Sequence, residues 1–248
     1  MKNPIVSIIV PIFGDRNQFY QAQSGLLCLE RQTYKNFEVI IVDDGAYFKL
    51  SFPDDRFIYI DLRSPGSDVR SSNISFLEGF SHATGDFIIT LHPEILIQSN
   101  AIEMMLDKAV RNRRNIPIQY HLSLEHIQSK KFKEILIGDN FDEFKELPNF
   151  WSTKTPWNYL NDYAPSQHMH FSFCGQDRKG WLKYGEFLPR TEEWYQEDCW
   201  WHDKEKEYHD YPNPLELEIY HQWHPRCYGE LNDETEASVR IKRIRGLL

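Results

Sequence analysis

The sequence that decides the fold reads VSIIVPIFG at residues 6–14 and EVIIVDDGA at residues 38–46. The β-branched apolar run within each stretch is too short for a helix and is typical of a buried parallel strand. The residues between the two runs have the length of a helix, so the segment predicts a β–α–β unit. Asp43 and Asp44 follow the second strand directly, at the edge where open α/β sheets bind ligands.

The composition is that of an ordinary globular protein. The 248 residues are 41% hydrophobic and 26% charged, which suits one large α/β domain or a domain with a substantial extension. No apolar run approaches the roughly 20 residues that cross a bilayer, and the first residues do not resemble a signal peptide. Four scattered cysteines without a CxxC pair predict reduced thiols in a cytoplasmic protein. A net charge of −9 disfavours a nucleic-acid partner.

The first half of the chain alternates between strand-like and helix-like segments. Further strands are predicted at residues 57–61 and 87–91, and helices at residues 69–84 and 100–111. Strands that alternate with helices predict a doubly wound, mostly parallel sheet flanked by helices.

Three motifs stand in an order that resembles the family 2 glycosyltransferases, whose fold is called GT-A. They are Pro11 in the first strand, Gln32-Thr33-Tyr34 after the helix and Val42-Asp43-Asp44-Gly45 after the second strand. The resemblance implies an α/β domain of GT-A type that binds a nucleotide sugar. The first turn lacks the GxGxxG loop of dinucleotide-binding proteins, which agrees with this interpretation.

The same resemblance divides a single domain into two halves and a tail. Residues 1–115 would bind the nucleotide sugar, residues 116–230 would hold the acceptor and the catalytic base, and residues 231–248 would form a basic helix. Six of the seven tryptophans lie between residues 151 and 201. These rings would either fill a second core layer or stack on sugar faces in an acceptor groove, and the sequence leaves both uses open.

The resemblance also assigns the residues that would bind the nucleotide. The backbone at Pro11, Ile12 and Phe13 would cradle the base. Asp44, with Asp43 beside it, would accept hydrogen bonds from uracil or ribose; the alternative is that the two aspartates only end the strand in a turn. Arg70 is the candidate for an arginine that approaches the nucleotide, although the ARN-like triplet usual in the family is not recognisable.

The acidic DxD motif that usually ends the fourth strand is replaced by His92-Pro93-Glu94. Glu94 stands at the metal-binding acid of the family and would bind Mn²⁺ or Mg²⁺. His92 would hydrogen-bond the ribose or donate nitrogen to Mn²⁺. A solvated loop glutamate and a structural histidine are the alternatives, so the altered motif leaves metal dependence open.

Two later motifs complete the expected site. Glu197-Asp198 resembles the ED motif that opens a helix over the acceptor, and it predicts Asp198 as the catalytic base. The alternative is an acidic first turn favoured by the helix dipole. His221, in the sequence YHQWHP, is the candidate for a histidine that completes the metal shell, with His224 as the second choice, although a chance pair is also consistent with ten histidines.

These predictions favour an inverting glycosyltransferase of the hexosyltransferase type in polysaccharide biosynthesis. It would move a sugar from a UDP-sugar to a glycan or lipid-linked acceptor. Retaining transfer, a degenerate module that binds without transfer, and a nucleotidyltransferase are alternatives, the last disfavoured by the lack of a glycine-rich basic N-terminal loop. The basic tail would contact the inner face of the membrane peripherally, or pack on its own domain or another subunit.

Overall fold

The structure is a computed structural model. It describes residues 4–13, 19–46, 48–50, 52, 54–63, 72–148, 150, 173–183, 204–205, 207–210 and 212–222. The described strands are β1 Val6–Ile12, β2 Phe37–Asp44, β3 Phe57–Arg63, β4 Phe87–Leu91, β5 Ile95–Ile97, β6 Asn115–Leu122, β7 Phe173–Asp177 and β8 Asn213–Gln222. The described helices are α1 Phe19–Glu30, α2 Ser72–His82, α3 Ala101–Lys108, α4 Leu124–Gln128, α5 Lys130–Gly138 and α6 Arg178–Trp181, with a 3-10 helix at Phe141–Glu146.

All eight described strands join one sheet in the order β3-β2-β1-β4-β7-β6-β8-β5. Four of the seven pairings are parallel, and three of them form the run β3-β2-β1-β4, whose strands all come from the first half of the sequence. The prediction of a mostly parallel α/β sheet flanked by helices is therefore confirmed. Strand β7 is antiparallel to both of its neighbours, which the regular alternation of the first half did not indicate.

Apolar side chains form a core on each face of the sheet. The larger core joins β1, β2 and β4 to buried residues of α1, α3 and α5. The smaller core, on the other face, contains Ile9, Phe76 from α2 and Trp181 from α6. The burial of Trp181 favours the core-filling interpretation for that tryptophan, while the other six lie outside the described residues.

Helix α3 ends earlier than residue 111, where its apolar periodicity would have placed its end. Ala109 is already extended, with ψ at 128°. The next amide, that of Val110, donates to the side chain of Asn115 at 2.8 Å rather than to a helical carbonyl. A tertiary hydrogen bond thus ends the helix, which periodicity alone does not reveal.

The Gln32-Thr33-Tyr34 motif holds the first crossover to the rest of the sheet. Buried Gln32 donates to the carbonyl of Gln98 at 2.8 Å and accepts from the Ile102 amide at 3.1 Å. Thr33 donates to Glu103 at 2.8 Å. These contacts connect the end of α1 to the start of α3, so this part of the motif is structural.

None of the described helices has both the length and the hydropathy that a bilayer crossing requires. The predicted basic helix at residues 231–248 lies outside the described residues.

Candidate functional site

The carboxyl ends of β1, β2 and β4 lie side by side at one edge of the sheet. Ile12 pairs with Asp43 across β1 and β2, and β4 runs parallel to β1 on its other side. The segments predicted to bind the nucleotide, Pro11 to Phe13, Asp43-Asp44 and His92, therefore meet along a single edge. Such an edge is where open α/β sheets bind ligands.

Asp43 is held by its own turn. Its Oδ1 accepts from the amides of Gly45 at 3.1 Å and Ala46 at 2.7 Å, and its Oδ2 accepts from the Tyr59 hydroxyl. Lys49 pairs with the same Oδ2 at 3.6 Å. Gly45 has φ of 92°, a conformation that glycine adopts without strain. These contacts match the alternative in which Asp43 ends the strand.

Burial and the Asp43 carboxylate raise the pKa of Tyr59 to about 12, so its hydroxyl remains a donor to Asp43. Asp44 is also buried, and strand alternation turns it to the opposite face from Asp43. That face is covered by α2, because Gly79 of α2 lies against Ile9 and Val42. Asp43 thus shapes the turn, and Asp44 beside it stays the nucleotide contact that the sequence predicts.

A second cluster joins His92, Glu94 and His221. Glu94 Oε1 lies 3.4 Å from His221 Nε2 and 3.6 Å from His92 Nδ1. All three side chains are partly exposed, Glu94 least at 16%. The ring of His92 also stacks on Phe76, with 6.2 Å between centroids and 17° between planes. The two predicted metal ligands are thus brought together from distant parts of the sequence.

The backbone around Glu94 is held by contacts that sequence reasoning missed. Ile95 of β5 pairs with His221 of β8. Gln222 donates to the Glu94 carbonyl twice, from its backbone amide at 3.1 Å and its side chain at 3.0 Å. The same side-chain amide also donates to the Gln21 carbonyl of α1 at 3.2 Å. The only signal in the sequence was that Gln222 follows His221.

Helix α1 approaches the His92-Pro93-Glu94 turn at Gly25. A Cβ added at Gly25 would overlap the carbonyl oxygen of Pro93, which is backbone and cannot turn aside. Together with Gln222, Gly25 fixes the backbone position from which the Glu94 side chain extends.

Within the described part of the chain, no group of three or more His, Cys, Asp or Glu side chains has the geometry of a metal site. A carboxylate with two imidazoles nearby nevertheless supplies oxygen and nitrogen donors of the kinds that Mn²⁺ accepts. The donor types of this cluster fit Mn²⁺ better than Mg²⁺, which prefers oxygen ligands in octahedral geometry.

The other predicted residues, Arg70, Glu197, Asp198 and His224, lie outside the described residues. Residues 174–181, with the sequence CGQDRKGW, precede the ED motif and have a structural role. Asp177 caps α6 through the Gly180 amide at 2.8 Å and accepts from the Asn112 amide at 2.6 Å.

Comparison with known proteins shows what this chain is similar to. The glycosyltransferase GlyA of Streptococcus pneumoniae serotype 4 is 19% identical over 203 residues, covering 74% of this chain and 28% of that protein. An uncharacterised glycosyltransferase of Haemophilus influenzae is 30% identical over 133 residues, covering 51% of this chain and 47% of that protein. This chain thus spans less than half the length of either relative.

The crystal structure of S. aureus TarS 1-349 superposes with a TM-score of 0.52 at 14% identity, over 88% of this chain and 60% of that one. At that identity the likeness concerns the fold alone. The sequence profile of the family described as "Glycosyl transferase family 2" matches residues 7–158, more than half of this chain, which therefore belongs to glycosyl transferase family 2.

Proposed function

We propose that this chain is a glycosyltransferase that moves a sugar from a nucleotide-sugar donor, expected to be a UDP-sugar, to a glycan or lipid-linked acceptor. The observation that carries the proposal is the contact of Glu94 with His221 at 3.4 Å, next to the strand edge that ends in Asp44. Membership in the family supplies the reaction class.

The nucleotide would lie along the ends of β1 and β2. The backbone from Pro11 to Phe13 would contact the base, and Asp44 would accept hydrogen bonds from the base or the ribose. The turn held by Asp43 supports this role, because a turn fixed by four contacts keeps Asp44 in one orientation.

The diphosphate would lie beside Glu94. Glu94 and His221, with His92 adjacent, would hold a divalent cation, with Mn²⁺ the better fit to this mixture of oxygen and nitrogen donors. When bound, the cation would neutralise charge on the diphosphate leaving group. His92 could instead donate a hydrogen bond to the ribose.

Inverting transfer then needs one base. An acceptor hydroxyl oxygen attacks the anomeric carbon as the bond from that carbon to the diphosphate oxygen breaks, and the hydroxyl proton passes to Asp198. Glu197 precedes this base in the ED motif. A single displacement requires one base and no enzyme nucleophile, so Asp198 alone would suffice on the acceptor side.

The test combines ligand binding with turnover. Melting temperatures would be measured with UDP, GDP and CMP, each with and without Mn²⁺, for the wild type, Glu94→Gln and Asp198→Asn. A ligand at about 100 times its Kd stabilises the folded state by about 2.7 kcal/mol. We expect UDP to stabilise the wild type only with Mn²⁺, Glu94→Gln to lose that shift, and Asp198→Asn to keep it while turnover falls by roughly 10²–10⁴.

Glu216→Gln is the matched control, because Glu216 lies on the same strand as His221 but is 93% exposed. A nucleotide shift that is independent of Mn²⁺ and of Glu94 would contradict the metal assignment. Because the DxD motif is altered, a second candidate function is a module that binds a nucleotide sugar or glycan without transferring the sugar. Nucleotide or glycan binding without turnover over a range of acceptors would favour that candidate.

A further inference from the structure

Asn73, in the first turn of α2, is fully buried at 0% exposure. Among the described residues neither its Nδ2 nor its Oδ1 has a hydrogen-bond partner. Buried polar side chains are nearly always paired in native proteins, and an unpaired one requires a physical explanation.

A second buried asparagine shows what a structural amide looks like in the same protein. Asn115 is also 0% exposed. Its Oδ1 accepts from the Val110 amide at 2.8 Å, and its Nδ2 donates to the carbonyls of Arg113 at 2.8 Å and Gly175 at 3.0 Å. Asn115 is satisfied by the chain, whereas Asn73 is not.

The position of Asn73 in the fold places it near the carboxyl ends of the parallel strands, where the nucleotide is proposed to bind. Helix α2 follows β3 and precedes β4, so its first turn lies at the carboxyl edge of these parallel strands. Helical spacing puts Asn73 one turn before Phe76 on the same face. The Phe76 ring stacks on His92, and Gly79, further along, contacts β1 and β2. Asn73 therefore lies beyond Phe76 toward the ends of β1 and β2, where Asp44 is found.

The amide group limits the chemistry of the ligand. Both its donor and its acceptor need partners, so the ligand must offer an acceptor and a donor close together. A phosphate at neutral pH mainly accepts hydrogen bonds, and a cation would engage only Oδ1. A nucleobase edge such as the carbonyl and N–H of uracil offers both groups, as does a ribose hydroxyl.

We propose that Asn73 binds the nucleoside of the donor, donating from Nδ2 and accepting at Oδ1; this rests on the proposed nucleotide-sugar function. A fully buried amide can reach a nucleoside only if the nucleoside enters between α2 and the strand ends. Binding therefore includes a local opening of the first turn of α2. The ligand then satisfies an amide that the folded chain leaves unpaired.

The test is Asn73→Leu, an apolar replacement of similar size, with Asn73→Ala as a second variant. Replacing an unsatisfied buried amide by an apolar group should leave the melting temperature unchanged or raise it. Calorimetry should show that the Kd for UDP, or for GDP if GDP binds the wild type better, rises about tenfold or more, because two hydrogen bonds are lost. The Kd for pyrophosphate should not change.

Asn115→Leu is the matched control, because it removes a buried amide that the chain does satisfy. It should lower the melting temperature clearly while the folded protein keeps its nucleotide affinity. If both Asn73 variants lower the melting temperature as Asn115→Leu does and leave nucleotide affinity unchanged, Asn73 is structural and the proposal fails.

Two further outcomes would also overturn it. A matching loss with pyrophosphate would place the amide at the diphosphate, and a loss with UDP-sugar but not with UDP would place it at the transferred sugar. If the wild type binds none of UDP, GDP and CMP, the proposed function fails together with this proposal. Wild-type binding that survives in Asn73→Leu removes only the role of Asn73.

Discussion

The two halves of the sheet are assembled in different ways. The run β3-β2-β1-β4 is parallel and built from segments within the first 91 residues, joined through α1 and α2. The run β7-β6-β8-β5 mixes directions and pairs β5, at Ile95–Ile97, with β8, at Asn213–Gln222. The proposed nucleotide contacts lie in the first run, whereas Glu94 meets His221 only through the pairing of distant segments in the second.

The buried polar side chains of the two halves of the sheet also differ in how far along the chain their partners lie. In the first half, Asp43 is satisfied almost locally, by Gly45, Ala46, Lys49 and Tyr59. Beside β6, in the second half of the sheet, Arg114 forms an ion pair with Glu205 through two hydrogen bonds, at 3.0 and 2.9 Å, with both side chains buried. The loss of one long-range contact in the second half of the sheet should therefore lower the free energy of unfolding more than the loss of one contact in the first half.

The largest effect should come from Glu205→Ala. Removing one partner of a buried ion pair leaves the other charge buried, at a cost of about 3–5 kcal/mol in the free energy of unfolding. Urea denaturation would measure it. Glu207→Ala is the control, since Glu207 is 58% exposed in its pair with Lys204 and such pairs contribute little. Equal losses in the two variants would remove the contrast between the halves.

A smaller effect is expected from Gly25→Ala, at the boundary between the halves. The added methyl group would push against the Pro93 carbonyl, and overpacking of this kind costs about 1–3 kcal/mol. The displaced turn should also weaken the Mn²⁺-dependent shift with UDP. Gly138→Ala should lower neither quantity, because there a Cβ would lie 3.2 Å from the side chain of Asn140, which can move. An unchanged Mn²⁺ response in Gly25→Ala would show that α1 does not position Glu94.

The smallest effect should come from Tyr59→Phe in the first half. Loss of its hydrogen bond to buried Asp43, which keeps the Gly45 and Ala46 amides, should cost about 1 kcal/mol in the free energy of unfolding at neutral pH. Burial, with Asp43 adding to it, raises the pKa of Tyr59 from 10.0 to about 12. The proton is therefore held more tightly in the folded state, and this part of the stability is present below about pH 10 and lost as pH rises toward 12.

The stability difference between wild type and Tyr59→Phe should accordingly narrow at alkaline pH. Urea unfolding at about pH 8 and about pH 11 would measure it, below and above the ordinary pKa of a tyrosine. A difference that widens at the higher pH would contradict the assigned direction of the Tyr59 pKa.

The candidate site could be predicted from the sequence to differing degrees. The family resemblance predicts Glu94 and His221 as metal ligands, and the structure brings their side chains within 3.4 Å. The sequence does not distinguish the two aspartates, whereas the hydrogen bonds show that Asp43 is held by its own turn. Asn73 gave no signal, because an unpaired amide is defined by what surrounds it after folding.

By itself, the sequence determined the β–α–β unit, the alternation of strands and helices in the first half of the chain and the resemblance to the family. These follow from the spacing of apolar residues and from motifs read within short windows. Only the tertiary structure decided that β7 reverses direction, that α3 ends at Asn115's hydrogen bond and that β5 pairs with β8. Such pairings depend on the packing of segments far apart in the chain, and no local pattern of residues encodes which distant partner a strand or a polar side chain will meet.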